Sequence, residues 1–310
     1  MAKQPKAIAK AMQPSAQVNL YTHAALAANT HRSYAADMRH FQEHGGTVPA
    51  TPVQVAEYLA RFATTLAVAT LQHRLIAIHR AHLKAGLPSP AMDALVKQTM
   101  QGIRRTRGTA QRRVRALVKD DIIELALTAE RQAPMKAARD AALILVGFAG
   151  AFRRSELVSI QREDIIEFDH GLEIHVRRTK TQQEAGHTVF IPCAQFSRCP
   201  VKALKHWLML SRIEVGPVFR RVNRHDQIAS DNALSAQSVA LVLKAVVSAT
   251  KDKEAARSVA GHSLRAGYCT EAASVGVATS VIMEQTGHRS TATLAKYLRP
   301  LVRRRTPSLL

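Results

Sequence analysis

Hydrophobic periodicity constrains this chain most, because it changes once along the sequence and then changes back. From residue 18 to 107 apolar residues recur at spacings of three and four, the pattern of amphipathic helices. Tyr34, Met38 and Phe41 share one helix face, with Asn29 or Thr30 at its start and Gly45-Gly46 at its end. Val53, Val55, Tyr58, Leu59 and Phe62 mark a second helix. Leu71, Leu75, Ile78 and His82 mark a third, which Gly86-Leu87-Pro88 stops, and Met92, Leu95, Val96, Met100 and Ile103 mark a fourth. Beyond them, Asp120 or Asp121 caps a helix through Ile122, Ile123, Leu125, Ala126 and Ala129, and residues 138–149 read as a buried helix. Between 165 and 192 the period falls to two. Ile165-Ile166-Glu167-Phe168, Leu172-Glu173-Ile174-His175-Val176 and Thr188-Val189-Phe190-Ile191-Pro192 read as short strands, the first two joined by Asp169-His170-Gly171. After residue 200 helical spacing returns, most clearly from Val239 to Val247. The pattern predicts a mainly α protein with a small β-sheet.

A chain of 310 residues suits two domains of ordinary size. Residues 1–17, with Lys3, Lys6, Lys10, Pro5 and Pro14, read as a flexible basic tail, and 18–107 as an all-helical domain. Residues 108–113 read as a basic linker and 114–310 as a second domain. Arg104, Arg105, Arg107, Arg112, Arg113 and Arg115 crowd around that linker. The formal net charge is +21. Self-repulsion on that scale is relieved by a polyanion, so nucleic acid is the expected partner and the arginine run a strap along a phosphate backbone. A membrane is not expected, since no apolar run approaches the roughly 20 residues that span a bilayer. No apolar stretch follows the basic N-terminus, so no secretory signal is expected. Three cysteines, an odd and low count, argue against a disulfide framework and suit a reducing cytoplasm. Cys193 and Cys199 lack a second pair at zinc-site spacing and read as ordinary thiols.

Several clusters hold groups suited to phosphate chemistry. Gly150-Ala151-Phe152-Arg153-Arg154-Ser155-Glu156-Leu157 follows the buried helix, and Thr179-Lys180-Thr181 lies between the second and third strands. His262-Ser263-Leu264-Arg265 places a histidine and an arginine on one face of a helix start. Gly287-His288 comes next, and Tyr297 sits on a short helix begun by Ser290 or Thr291. Singly, each has a plain reading as a solvated charge, a satisfied histidine or a packed aromatic.

In chain order they resemble the tyrosine recombinases, or phage-type integrases, whose pattern is Arg, Lys, His-x-x-Arg, Gly-His, Tyr. The resemblance covers residues 114–300 through these motifs and 20–107 only through the helices. It implies an all-helical N-terminal DNA-binding domain followed by an α+β catalytic domain. It implies Arg153, Lys180, His262, Arg265, His288 and Tyr297 as catalytic residues, with Glu156 supporting Arg153 or its helix. Arg153 is preferred to Arg154 because the family arginine stands two before the serine. The implied activity is site-specific recombination of double-stranded DNA through a 3′-phosphotyrosine intermediate. The implied setting is a bacterial cytoplasm, with a tetramer at synapsis and no metal or other cofactor.

The residue types fit that chemistry. Charge builds on the non-bridging oxygens of a phosphodiester during transfer. Two guanidiniums, Arg153 and Arg265, can hold those oxygens and stay charged at any relevant pH. A phenol is a weak nucleophile with a pKa of about 10 and needs a base or a positive field. His262 is the candidate base, Lys180 the candidate acid for the departing 5′-oxygen, and His288 a donor to a non-bridging oxygen. Two other readings stand beside this one. A DNA-binding regulator would use residues 278–285 and 291–298 as a helix-turn-helix, but leaves Arg153, Lys180, His262 and Arg265 without a role. A type IB topoisomerase would use nearly the same groups on one duplex; size and the N-terminal helices favour the recombinase.

Overall fold

The computed structural model describes residues 15–109, 114–177, 186–195, 198–251, 253–295 and 297. Lys180, Arg112 and Arg113 lie outside these described residues. The chain divides into two compact units, Met1–Arg112 and Arg113–Leu310.

The first unit is helical throughout its described part. Its helices are α1 (Ala16–Ala24), α2 (Ala28–Glu43), α3 (Pro52–Phe62), α4 (Val68–Lys84) and α5 (Ala94–Arg107). Helix α1 begins inside the stretch expected to be a tail, because the Ser15 hydroxyl accepts the Val18 N–H and caps it. Helix α3 starts on a Thr51 cap with Pro52 in its first turn. Helix α2 has no side-chain cap at Ala27, so neither Asn29 nor Thr30 plays the part its residue type suggested. Phe41, Leu59, Leu71, Ile78, Val96 and Met100 make one core from faces spaced three and four apart. Arg104, Arg105 and Arg107 form the last turn of α5 and do not lie in a linker. There their charge opposes the negative end of the helix dipole, and Arg107 Nη2 donates to Thr64 O at 3.3 Å.

The second unit opens with a segment held by backbone bonds. Arg115 N–H donates to Ser258 O and Leu117 N–H to Ser263 O. The Arg115 guanidinium binds Asp121 at 2.6 Å, so this arginine of the basic run is paired within its own unit. Helix α6 (Lys119–Ala129) follows, and Asp121 Oδ2 accepts the Val118 N–H at 3.3 Å. Helix α7 (Pro134–Ala149) is buried along nearly its whole length. A short helix, α8 (Arg154–Ser159), leads into β1 (Ile165–Phe168), β2 (Gly171–Val176) and β3 (His187–Pro192). These pair antiparallel in the order β1-β2-β3, with Ile165 opposite Ile174 and Ile174 opposite Val189. One face of the sheet carries Leu172, Ile174, Val176, Val189 and Ile191 into the core, which is the period of two made physical.

Helix α9 (Pro200–Ser211) packs on α7 and carries Trp207, whose Nε1–H donates to Val218 O at 2.9 Å. A second hairpin, β4 (Arg220–Val222) and β5 (Ile228–Ala233), interrupts the all-helical run expected after residue 200. Its turn has a structural use. Asp226 accepts the Met135 and Lys136 N–H groups, both at 2.8 Å, and so caps α7 across the fold. Ala133, the residue at the α7 start, supplies no cap of its own. Helices α10 (Ala236–Thr250), α11 (Lys253–Ser258), α12 (Ser263–Ser274) and α13 (Thr279–Thr286) complete the unit, with further helical turn at 291–295. Among the described residues no helix is long and apolar enough to cross a membrane.

Candidate active site

Four elements of the second unit converge on one place. The first is the junction of α7 and α8. Gly150 ends α7, and Ala151 then takes a left-handed conformation, φ 49°, while fully buried. That is a strained position for alanine. It turns the Ala151 carbonyl toward Arg265, whose Nη1 donates to it at 2.9 Å. Arg153 follows at the start of α8. Glu156, 3% exposed, accepts the Arg153 backbone N–H at 2.8 Å and also binds its guanidinium. One carboxylate therefore closes the first turn of α8 and holds the side chain in place. Arg154, the neighbour, is exposed.

The second element is α12. It carries Arg265 in its first turn, with His262 just before it. A Cβ on Gly267 would lie 1.7 Å from Leu117 O, so α12 approaches the opening segment as only glycine allows. Arg265 is 1% exposed. Its Nη2 donates to His288 Nε2 at 3.2 Å, and its Nε is buried without a partner among the described residues.

The third element is the end of α13. Gly287, φ 62°, terminates the helix in the left-handed conformation, and the His288 N–H donates back to Met283 O. Gln285 pins this helix end by donating to Ala149 O at 3.1 Å and Phe190 O at 2.9 Å. Burial, then the Arg265 and Arg153 charges, lower the His288 pKa to about 4. The ring is neutral at neutral pH.

The fourth element carries Tyr297, half-buried beside Cys269, Ala272, Ile282 and Leu294. Its ring centroid lies 5.7 Å from that of His262 and 5.7 Å from that of His288. Its hydroxyl is hydrogen-bonded to His262 Nε2. Burial raises the Tyr297 pKa, while Arg265 and Arg153 pull it the other way. Solvent reaches His262, yet the crowded surroundings and then Arg265 and Arg153 lower its pKa. The His262 imidazole is thus unprotonated at neutral pH and able to accept a hydrogen bond, and the phenol holds its proton. Burial holds the Cys269 thiol up to about 11, so that sulfur packs and does not react.

Arg153, Glu156, His262, Arg265, His288 and Tyr297 are brought together; Lys180 lies outside the described residues. The sequence reading passed over His187. It opens β3, its ring rests against Gly287 with Nε2 3.5 Å from where a Cβ would stand, and its Nδ1 is buried without a partner among the described residues. Burial lowers its pKa, with Glu156, Arg153 and Arg265 all within electrostatic reach. In the sequence it closes the polar stretch before the third strand, which gave no signal of its place. Among the described residues no group of three or more His, Cys, Asp or Glu side chains can hold a metal ion.

The chain has known relatives. The model of the phage integrase family matches residues 90–304. A curated relative, an integrase/recombinase XerD homologue from Selenomonas ruminantium, is 38% identical over 280 residues, covering 87% of this chain and 81% of its own. Among solved structures, the XerH site-specific recombinase in its post-cleavage complex with a palindromic difH substrate is similar, with TM-score 0.65 and 16% identity. The match covers 88% of this chain and 77% of that one. The Tn1549 transposon integrase in complex with transposon right-end DNA gives TM-score 0.61 at 13% identity, over 93% of this chain and 96% of that one. At such identities the structures speak for the fold, whereas the family match and the XerD-type relative speak for kinship. The chain belongs to the phage integrase family and is a tyrosine recombinase.

Proposed function

We propose that this recombinase cuts and rejoins double-stranded DNA with Tyr297 as nucleophile. The observation that carries the assignment is the Tyr297 hydroxyl hydrogen-bonded to His262, beside the buried Arg265–His288 pair and in the field of Arg153. His262 takes the phenol proton as Tyr297 Oη attacks phosphorus. The bond from phosphorus to the 5′-oxygen breaks, leaving a 3′-phosphotyrosine and a free 5′-hydroxyl. Arg153 and Arg265 meet the charge that grows on the non-bridging oxygens. Glu156 keeps Arg153 in place. Lys180 is assigned the protonation of the leaving oxygen. A 5′-hydroxyl from a second strand then attacks the phosphotyrosine and restores a phosphodiester, so the bond energy is kept and neither ATP nor a metal is consumed. The helical unit, 18–107, and the arginines from Arg104 to Arg113 are assigned to DNA binding, in a bacterial cytoplasm, with a tetramer as the synaptic assembly.

Covalent capture tests the nucleophile. The protein is incubated with a randomised duplex library, denatured, and the DNA that stays attached is recovered. The wild type is expected to capture DNA. Tyr297→Phe, which removes one hydroxyl and keeps the ring packing, is expected to bind the same duplexes and capture none. A covalent adduct on Tyr297→Phe would remove Tyr297 from the mechanism.

A further inference from the structure

Five residues separate Cys193 from Cys199 in the chain, and the fold brings the two thiols together. Cys193 is exposed just past the end of β3, where its N–H donates to His170 O at 2.8 Å. Cys199 is 1% exposed and stands at the start of α9. Its sulfur accepts the Ala194 N–H at 3.3 Å. A peptide nitrogen lies about 2.4 Å from the preceding Cα, so the Cys199 sulfur is within about 5.7 Å of the Cys193 Cα. The Cys193 thiol, 3.9 Å from Asp169 O, is also within hydrogen-bonding reach of the Cys199 sulfur. Rotation of the Cys193 side chain, with a small shift of its exposed strand end, brings sulfur to sulfur. The environments of the two thiols differ. Burial pushes the Cys199 pKa up, but the N–H groups of Lys202, Ala194 and Val201 and the Cys193 thiol outweigh it and hold the pKa below the ordinary value. Val201 and Lys202 belong to the first turn of α9, where the helix dipole favours an anion. Cys199 thus has thiolate character but is shielded, while Cys193 is the sulfur that an oxidant in solution can touch. The third thiol, Cys269, packs in a separate cluster with Ala272, Ile282 and Leu294.

We propose that Cys193 and Cys199 form a reversible redox-modification site, oxidised by peroxides to a disulfide that ties the end of β3 to the start of α9. Hydrogen peroxide meets Cys193 first. The Cys193 sulfur attacks one peroxide oxygen and the O–O bond breaks. Cys193 becomes a sulfenic acid, and water leaves with the thiol proton. The Cys199 sulfur then attacks the Cys193 sulfur, the S–O bond breaks and a second water leaves with the Cys199 proton. Each sulfur has given up one electron, and one peroxide has been reduced to two waters. A small dithiol reverses the step by exchange and is itself oxidised to a disulfide. In a reducing compartment such disulfides are transient and respond to oxidation. The fold therefore gives a part to two cysteines whose spacing alone suggested ordinary thiols. The link also fastens the strand whose Phe190 carbonyl holds Gln285 at the end of α13. The site needs neither DNA nor Tyr297, so it goes beyond the strand exchange proposed above.

Mass spectrometry of the full, DNA-free chain after mild hydrogen peroxide tests the pair. The wild type is expected to lose about 2 Da, the two thiol hydrogens. Free thiols are expected to fall from three to one, with Cys269 the one that stays reduced. Trypsin cuts between Arg198 and Cys199 and so parts the two cysteines, and the disulfide is expected as a cross-linked peptide pair. Dithiothreitol is expected to return both thiols. Cys193→Ser is expected to keep Cys199 as a free thiol at the same dose. Cys199→Ala is expected to leave Cys193 as a sulfenic acid that dimedone traps. Cys193 is exposed, so its variant tests the pair even where Cys199→Ala weakens the core. A disulfide that includes Cys269, or one that joins two chains, overturns the proposal. So does a wild-type Cys193 that stops at the sulfenic acid, or a wild type that keeps all three thiols at a dose that oxidises an equal concentration of glutathione. None of these readouts depends on the covalent capture of DNA, so their failure is distinct from a failure of Tyr297 as nucleophile.

Discussion

His288 carries its neutrality as a stability term. Its pKa is held at about 4 in the folded chain, first by burial and then by Arg265 and Arg153, against 6.5 for a free histidine. Below 6.5 the unfolded chain takes up a proton that the folded chain refuses. The unfolded state then binds more protons, so stability falls as pH falls, and the loss is complete only near pH 4. At 1.36 kcal/mol per unit, the full swing is of order 3 kcal/mol. Urea denaturation at pH 6.5 and at pH 4 checks this. His288→Gln is expected to be less stable at pH 6.5 but to lose correspondingly less on acidification. Equal pH slopes for the two proteins would show that His288 titrates normally. His262 and His187, also shifted downward, bend the wild-type curve in the same sense, so the comparison of slopes isolates His288.

At the scale of elements, the second unit depends on a few close approaches that place the candidate site residues. The tightest is α12 against the opening segment, where Gly267 leaves no room for a methyl group beside Leu117 O. Backbone, unlike a flexible side-chain end, cannot step aside cheaply. Gly267→Ala is expected to cost more than about 2 kcal/mol by overpacking, despite the gain in helix propensity that alanine brings. Because α12 carries Arg265 and abuts His262, cleavage should fall with it. A Gly267→Ala protein with wild-type urea midpoint and wild-type cleavage would deny α12 this role. Such approaches mark the edge of what the sequence can tell. The α2–α5 helices and the three-stranded sheet were legible because each advertises its own period, and the candidate site residues that the fold brings together because they stand in order within short motifs. The α7 cap was not, since its acceptor, Asp226, lies some 90 residues downstream in a hairpin too short and polar to show a strand pattern. Nor was the left-handed Ala151, where a residue type that disfavours such backbone is held there by its surroundings.

At the scale of the whole molecule the net charge of +21 is the dominant fact, and the question is which charges meet phosphate. Arg104, Arg105 and Arg107 are exposed on the last turn of α5, so their contribution to that helix end competes with a role on DNA. Salt dependence tells the two apart. Each phosphate neutralised by direct contact releases condensed counterions and adds about 0.9 to the slope of log K against log salt on duplex DNA. A charge acting from a distance is instead screened within about 10 Å at 0.1 M salt and leaves no such count. Converting all three arginines to glutamine in a Tyr297→Phe background keeps the measurement free of covalent capture. If all three meet phosphates, the slope is expected to become shallower by nearly three units, with the largest loss of affinity at low salt. If they only stabilise α5, the slope stays as it was while the urea midpoint of the first unit drops, since a cation in a last helical turn is worth about 0.3–1 kcal/mol. An unchanged slope would thus confine these arginines to the helix and move the phosphate contacts elsewhere on the chain.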